Sequence, residues 1–230
     1  MEQIPDYIKI VFVFTTLLTI YFLYKAGNYS KTVIIGIISW LALQAIISLK
    51  GFYTFVDTMP PRFALLLFPP LLLIAILFIT KSGRSFMDSL EVKTLSLLHI
   101  VRIPVEFILY WLFLYKVVPG IMTFEGRNFD ILSGLTAPFV YYFGYRRKLL
   151  SKTILIFWNI ACLLLLLNIV VTAILSTPAP FQHFAFDQPN IALLYFPFVW
   201  LPAFIVPVVL LSHLVALRQL TWKTQNARKV

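Results

Sequence analysis

The sequence predicts an all-α integral membrane protein with seven transmembrane helices, its amino terminus outside and its carboxyl terminus in the cytoplasm. Three observations carry this expectation. Of 230 residues, 60% are hydrophobic and only 12% are charged, about half the charge of an ordinary soluble domain. The apolar residues gather in runs of roughly 17–25, the length that crosses about 30 Å of hydrocarbon as a helix. The cations, finally, fall mainly on one side of the alternating connections.

The spans are read at 8–25, 32–50, 63–80, 97–117, 129–145, 152–176 and 192–217, within a single domain. Helices are required because an open strand would leave backbone groups unpaired in lipid. The leading segment MEQIPDYIKI is acidic and lacks the basic region and cleavage site of a signal peptide, so the first span is expected to stay in the membrane. One set of connections holds thirteen Lys and Arg, from Lys25 to Lys229, against two acids, Asp88 and Glu91. The other holds five cations against six acids. The basic set is assigned to the cytoplasm. Its contact with anionic lipid accounts for the net charge of +10 without invoking nucleic acid.

Two connections have internal character. Residues 84–96, RSFMDSLEVKTLS, space Phe86, Met87 and Leu90 beside charges, as expected of a cytoplasmic interfacial helix. The outer loop at 177–190 is rich in proline and aromatics. It is expected to sink its rings into the interface, with a lid over an outward cavity as the alternative.

The fourth span carries the chemistry. His99, Arg102, Glu106 and Tyr110 recur at intervals of three and four, so they share one helix face. Charges at bilayer depth are costly and cannot face lipid, which makes this stripe the candidate ligand-binding site. Pro104 lies within it and cannot donate to the carbonyl of Ile100. In the functional reading Arg102 contacts an anionic or carbonyl group, Glu106 is a counter-charge or proton carrier, and His99 relays protons. Tyr110 then supplies a hydroxyl. The structural alternative is an Arg102–Glu106 salt bridge within one helix.

Glu125, Arg127, Asn128 and Asp130 crowd the mouth of the fifth span, where Arg127 and Asp130 shape the entrance. Asp130 also suits the helix N-cap. Ser133, Gly134, Thr136 and Ala137 are small and read as packing residues. Asn159 falls at the depth of Arg102 and is its candidate partner, while Asn168 is expected to hydrogen-bond across the bundle. His213 matches the depth of His99, which leaves haem or a metal between them as a minor expectation. No other cofactor is expected. Prolines at 69, 70, 197, 202 and 207 predict kinked helices. The lone Cys162 excludes an intrachain disulfide.

No lysine lies in the last span to hold retinal, and no H-E-x-x-H, G-x-S-x-G or P-loop pattern occurs. The functional expectation is therefore a membrane protein that binds or transports a small polar molecule or ion. Alternatives are a membrane enzyme acting on a lipid or prenyl substrate, a haem or metal protein, and an accessory subunit. The expected partners are the bilayer, the polar ligand, and a second copy or another membrane protein. Compact loops favour a bacterial inner membrane.

Overall fold

The computed structural model describes residues 4–227, with side chains to Thr221. Glu2, Arg228 and Lys229, which enter the charge count, lie outside the described residues. All regular structure among the described residues is helical. Helix α1 (Asp6–Ala26) and α2 (Lys31–Leu49) form an opening hairpin. Helix α3 (Ala64–Ile79) turns by 97° into the short α4 (Lys81–Ser89).

Helix α5 (Val92–Leu114) is one apolar rod tightened by a 3₁₀ turn over His99–Val101. Helix α6 (Ile131–Phe139) continues as a π-helical stretch over Val140–Arg146. Helix α7 spans Lys152–Leu175. Helix α8 opens with a π turn, Leu201–Ile205, and runs on through Val206–Ala227. Five of these helices, α1, α2, α5, α7 and α8, are long and apolar enough to cross a membrane, and the bent α3–α4 pair makes a sixth if taken as one span. The third and fifth expected spans are the shorter ones: α3 has 16 residues, a rise of about 24 Å.

Three boundaries differ from the sequence reading, each for a local reason. The helix expected over 84–96 is split. Thr80 caps α4 by accepting from the Gly83 amide, whereas Glu91 is pinned by its own amide to the Ala26 carbonyl at the end of α1. Leu90 and Glu91 are therefore extended, and α5 starts at Val92 rather than 97. The last span begins at Leu201 instead of 192, because the amides of Ile191 and Ala192 are taken by the Val117 carbonyl at the end of α5. In the outer loop, Gln188 donates to the carbonyls of Phe113 and Val118 and Asn190 to that of Ala173. The loop is thus tied to the ends of α5 and α7, and Phe186 stays exposed.

Helix α5 is the hub, packed by α1, α6 and α8, while α7 leans on α8. The main apolar core threads through it, from Ile8 and Phe12 of α1 to Leu98, Leu109 and Leu112 of α5 and Val209 and Val215 of α8. The buried threonines of α1 at 15, 16 and 19 each return their hydroxyl to the carbonyl one turn back, so they satisfy themselves. Helix α2 is the least enclosed of the long helices. It is fastened to α8 by two indoles: Trp200 donates to the Leu41 carbonyl, and Trp40 to the Ala203 carbonyl. Pro207 has no N–H to offer Ala203, four residues back, so Trp40 fills the vacancy that the proline creates.

Candidate functional site

The polar stripe of α5 faces inward, and the helices around it bring more polar groups to the same place. His99, Arg102, Glu106, Asn128, Asp130, Asn159 and His213 are each at most 5% exposed. They come from α5, the segment leading into α6, α7 and α8.

Gly134 makes the assembly possible. A Cβ there would stand 2.7 Å from Ile103 Cγ1, 3.1 Å from the Ile103 nitrogen and 3.3 Å from the His99 carbonyl oxygen. Helix α6 thus lies with its backbone against α5, an approach that any side chain at 134 would force apart by a few tenths of an ångström. One turn earlier, Asp130 then reaches Arg102. The carboxylate takes the guanidinium two-pronged: Nε donates to Oδ2 at 2.6 Å, and Nη2 donates to Oδ1. Asp130 does begin α6, yet its side chain makes no capping bond. The expected helix cap is instead half of a buried ion pair.

Arg102 spends its other donors inside the protein as well. Nη2 reaches the Cys162 carbonyl at 3.0 Å, and Nη1 lies 3.1 Å from His213 Nε2. Arginine has no acceptor, so His213 Nε2 must accept and its proton must sit on Nδ1. That proton faces Asn159 Oδ1 at 3.0 Å, while Asn159 Nδ2 donates to the Leu155 carbonyl at 2.8 Å and so fixes the amide's orientation. Contrary to the expectation, Asn159 does not bond Arg102 directly; His213 stands between them.

Neither the Arg102–Glu106 salt bridge nor a His-bridged metal matches this geometry. Arg102 pairs with Asp130, and Glu106 Oε1 accepts from Asn128 Nδ2 at 2.6 Å. Asn128 is a hub: Nδ2 also donates to the Met122 carbonyl, and Oδ1 accepts from the Asp130 amide. The His99 and His213 rings stack with centroids 3.9 Å apart and planes within 17°, and Trp158 presents an edge to His99. With both nitrogens of His213 engaged and the rings face to face, the pair offers no common point to a metal or haem iron. Among the described residues no group of three His, Cys, Asp or Glu is placed to hold a metal ion.

Two predicted residues fall outside the network. Tyr110 is half-buried, its ring 4.9 Å from that of Phe124 and its hydroxyl beside Glu125. Arg127 is exposed and lines a lateral pocket of about 400 Å³ with Asn168 and Phe184. Asn168 donates to the Arg127 carbonyl.

Several buried polar atoms along the stripe have no hydrogen-bond partner: Glu106 Oε2, His99 Nδ1, Ser96 Oγ, Ser133 Oγ and the Tyr145 hydroxyl. Ser96, His99 and Glu106 continue one face of α5, and Ser133 and Tyr145 belong to α6 and its π stretch. Tyr145 lies near Ser96 and Asn159 without a bond of good geometry to either. Asn128 is legible in the sequence only as one polar residue at a helix mouth. Ser96 and Tyr145 carry no signal of their own except that Ser96 precedes His99 by three.

Neither a curated protein nor a solved structure matches the chain. A family described as Domain of unknown function (DUF8737) matches residues 60–221, from the turn before α3 through α8, and so includes the whole polar network. As that match spans well over half of the sequence, the chain belongs to the DUF8737 family.

Proposed function

We propose that the chain is a membrane protein that binds a small polar species, in the first instance a proton, at Glu106, and passes it along the polar face of α5. One observation carries this reading. Glu106 is 1% exposed, one of its oxygens is unpartnered, and the only cation of the network is already matched by Asp130. A second unmatched negative charge at this depth is costly. Proton uptake at Oε2 removes that cost, and proton release restores it. His99, with its own open nitrogen one turn beyond Arg102, is the next group along the stripe toward Ser96 and Tyr145. Arg102 is a fixed anchor here: the anionic group and the carbonyl that it was expected to contact are supplied by the protein itself.

The topology proposed with this reading is seven spans, α3 and α6 included, in a bacterial inner membrane with the basic connections in the cytoplasm. Charge asymmetry supports the orientation, and the compact loops support the location. Reporter fusions after Arg147 and at the carboxyl terminus should both read as cytoplasmic.

The functional test is proton flux into liposomes containing the purified protein and a trapped pH-sensitive dye. Wild type should relax an imposed pH gradient faster than empty liposomes, and Glu106→Gln should abolish the difference while leaving the fold intact. Equal rates for wild type and empty liposomes would sink the proposal. The saturated donors of Arg102 favour a second reading, in which the network only clamps α5 through α8 together. In that case Glu106→Gln leaves every function of the protein unchanged.

A further inference from the structure

Away from the polar network, α2 and α3 both lean on α8 and scarcely touch each other. Between them runs a groove of about 580 Å³, floored by Ala203, Phe204, Pro207 and Leu211 of α8. Its volume falls within the range of small-molecule sites, and its lining is almost wholly apolar. Gly36 faces the groove, and a Cβ there would meet nothing within 4 Å. On the opposite wall, Pro69 and Pro70 interrupt the hydrogen-bonding of α3. A helix spanning it would need several times that volume, whereas a single hydrocarbon chain is of the order of the volume observed.

One end of the groove is basic. Thr32 and Val33 line it at the start of α2, directly after the exposed Lys31. Phe86 lines it from α4, the helix that carries Lys81 and Arg84. Arg84 is held at the bend by the Phe78 and Ile79 carbonyls. The nearby acids are already engaged, Asp88 with Arg218 and Glu91 with Lys93. Among the described residues, Lys31, Lys81 and Arg84 have no carboxylate partner. Apolar slots capped by cations at a helix-bundle surface recognise anionic lipid headgroups.

The geometry points to a resident anionic phospholipid, with one acyl chain in the α2–α3 groove and its phosphate against Lys31, Lys81 and Arg84. This is a binding site separate from the Glu106 network, and it stands whether or not that network moves protons.

The test uses the full chain in nanodiscs of equal phosphatidylglycerol and phosphatidylcholine, with a phosphatidylglycerol probe bearing a photoactivatable diazirine on its acyl chain. Crosslinks should concentrate on peptides containing Gly36–Trp40 and Leu73. Native mass spectrometry should show phosphatidylglycerol retained at least tenfold over phosphatidylcholine. Gly36→Trp, which fills open space, should remove the retained lipid, and Lys31→Glu with Lys81→Glu should erase the headgroup preference. Crosslinks spread evenly over α1 and α7, equal retention of the two lipids, or a wild-type dimer that Gly36→Trp dissociates would each overturn the assignment. The crosslinking pattern is read on the wild type, so it decides even if a variant fails to fold.

Discussion

Asp130→Asn is the most direct probe of how the core is held. The substitution keeps the size of the side chain and one acceptor oxygen but removes the charge. Arg102 and Asp130 side chains are only 3% and 7% exposed, so water cannot replace the lost carboxylate. Of the four contacts made by the guanidinium, the two to Asp130 are charge-assisted, and those to Cys162 and His213 are to neutral groups. Breaking a buried pair from one side costs about 3–5 kcal/mol, a factor of roughly 10²–10⁴ in the folded population. Cys162 offers the assay. It is the lone cysteine, it is buried, and its own carbonyl binds Arg102. Its labelling by a thiol-reactive dye during detergent denaturation therefore reports opening at the site itself. The double variant Arg102→Met/Asp130→Leu removes both charges of the pair and should lie much closer to wild type than Asp130→Asn does. A cost below about 1 kcal/mol for Asp130→Asn, with Cys162 labelled no faster, would refute the reasoning.

Other perturbations separate packing from polarity. Gly134→Ala should cost about 1–3 kcal/mol by overpacking, because two of the atoms that its methyl meets are backbone atoms unable to move aside; the same dye assay reads it. Asn128→Ala should cost about 2–4 kcal/mol, since it leaves Glu106 Oε1 and the Met122 carbonyl without this donor. Arg218→Ala should cost about 1 kcal/mol by denaturant titration, less than the buried pair, because Asp88 is 40% exposed although Arg218 grips it two-pronged and is itself only 14% exposed. Tyr53, in the connection between α2 and α3, is buried, and burial pushes its hydroxyl up to about 12 while its bond to Gln44 pulls the other way. An unfolded tyrosine ionises near 10, so the folded state holds the proton longer and stability should fall as pH rises above about 10. Tyr53→Phe should abolish that part of the alkaline loss in a pH series of melting curves.

What the sequence discloses here follows from spacing and burial cost. The inward face of α5 is legible because His99, Arg102 and Glu106 repeat at helical intervals in an apolar setting, and that demands company. The identity of the company is not legible. Asp130 reads as a helix cap by position, and only the close approach at Gly134 shows it reaching across to Arg102. His213 could be matched to His99 by depth, but stacking rather than ligation depends on ring orientation, which no spacing encodes. Tyr110 keeps the stripe's spacing yet leaves the network, because Phe124 folds back over its ring. The ends of α4 and α5 escaped because a distant carbonyl, that of Ala26, pins Glu91.

The reach of Arg102 along the chain also constrains how the protein is made. Its carboxylate lies 28 residues downstream and its histidine 111 residues downstream, so both emerge from the ribosome after α5. In the proposed topology α5 reaches the bilayer before α6 with an uncompensated guanidinium, which strongly disfavours insertion at the helix centre. On that topology the ion pair would act as an assembly checkpoint: a nascent chain truncated before Asp130 should be extracted and degraded, and one released after α6 but before α8 should persist longer, with Arg102 half-satisfied.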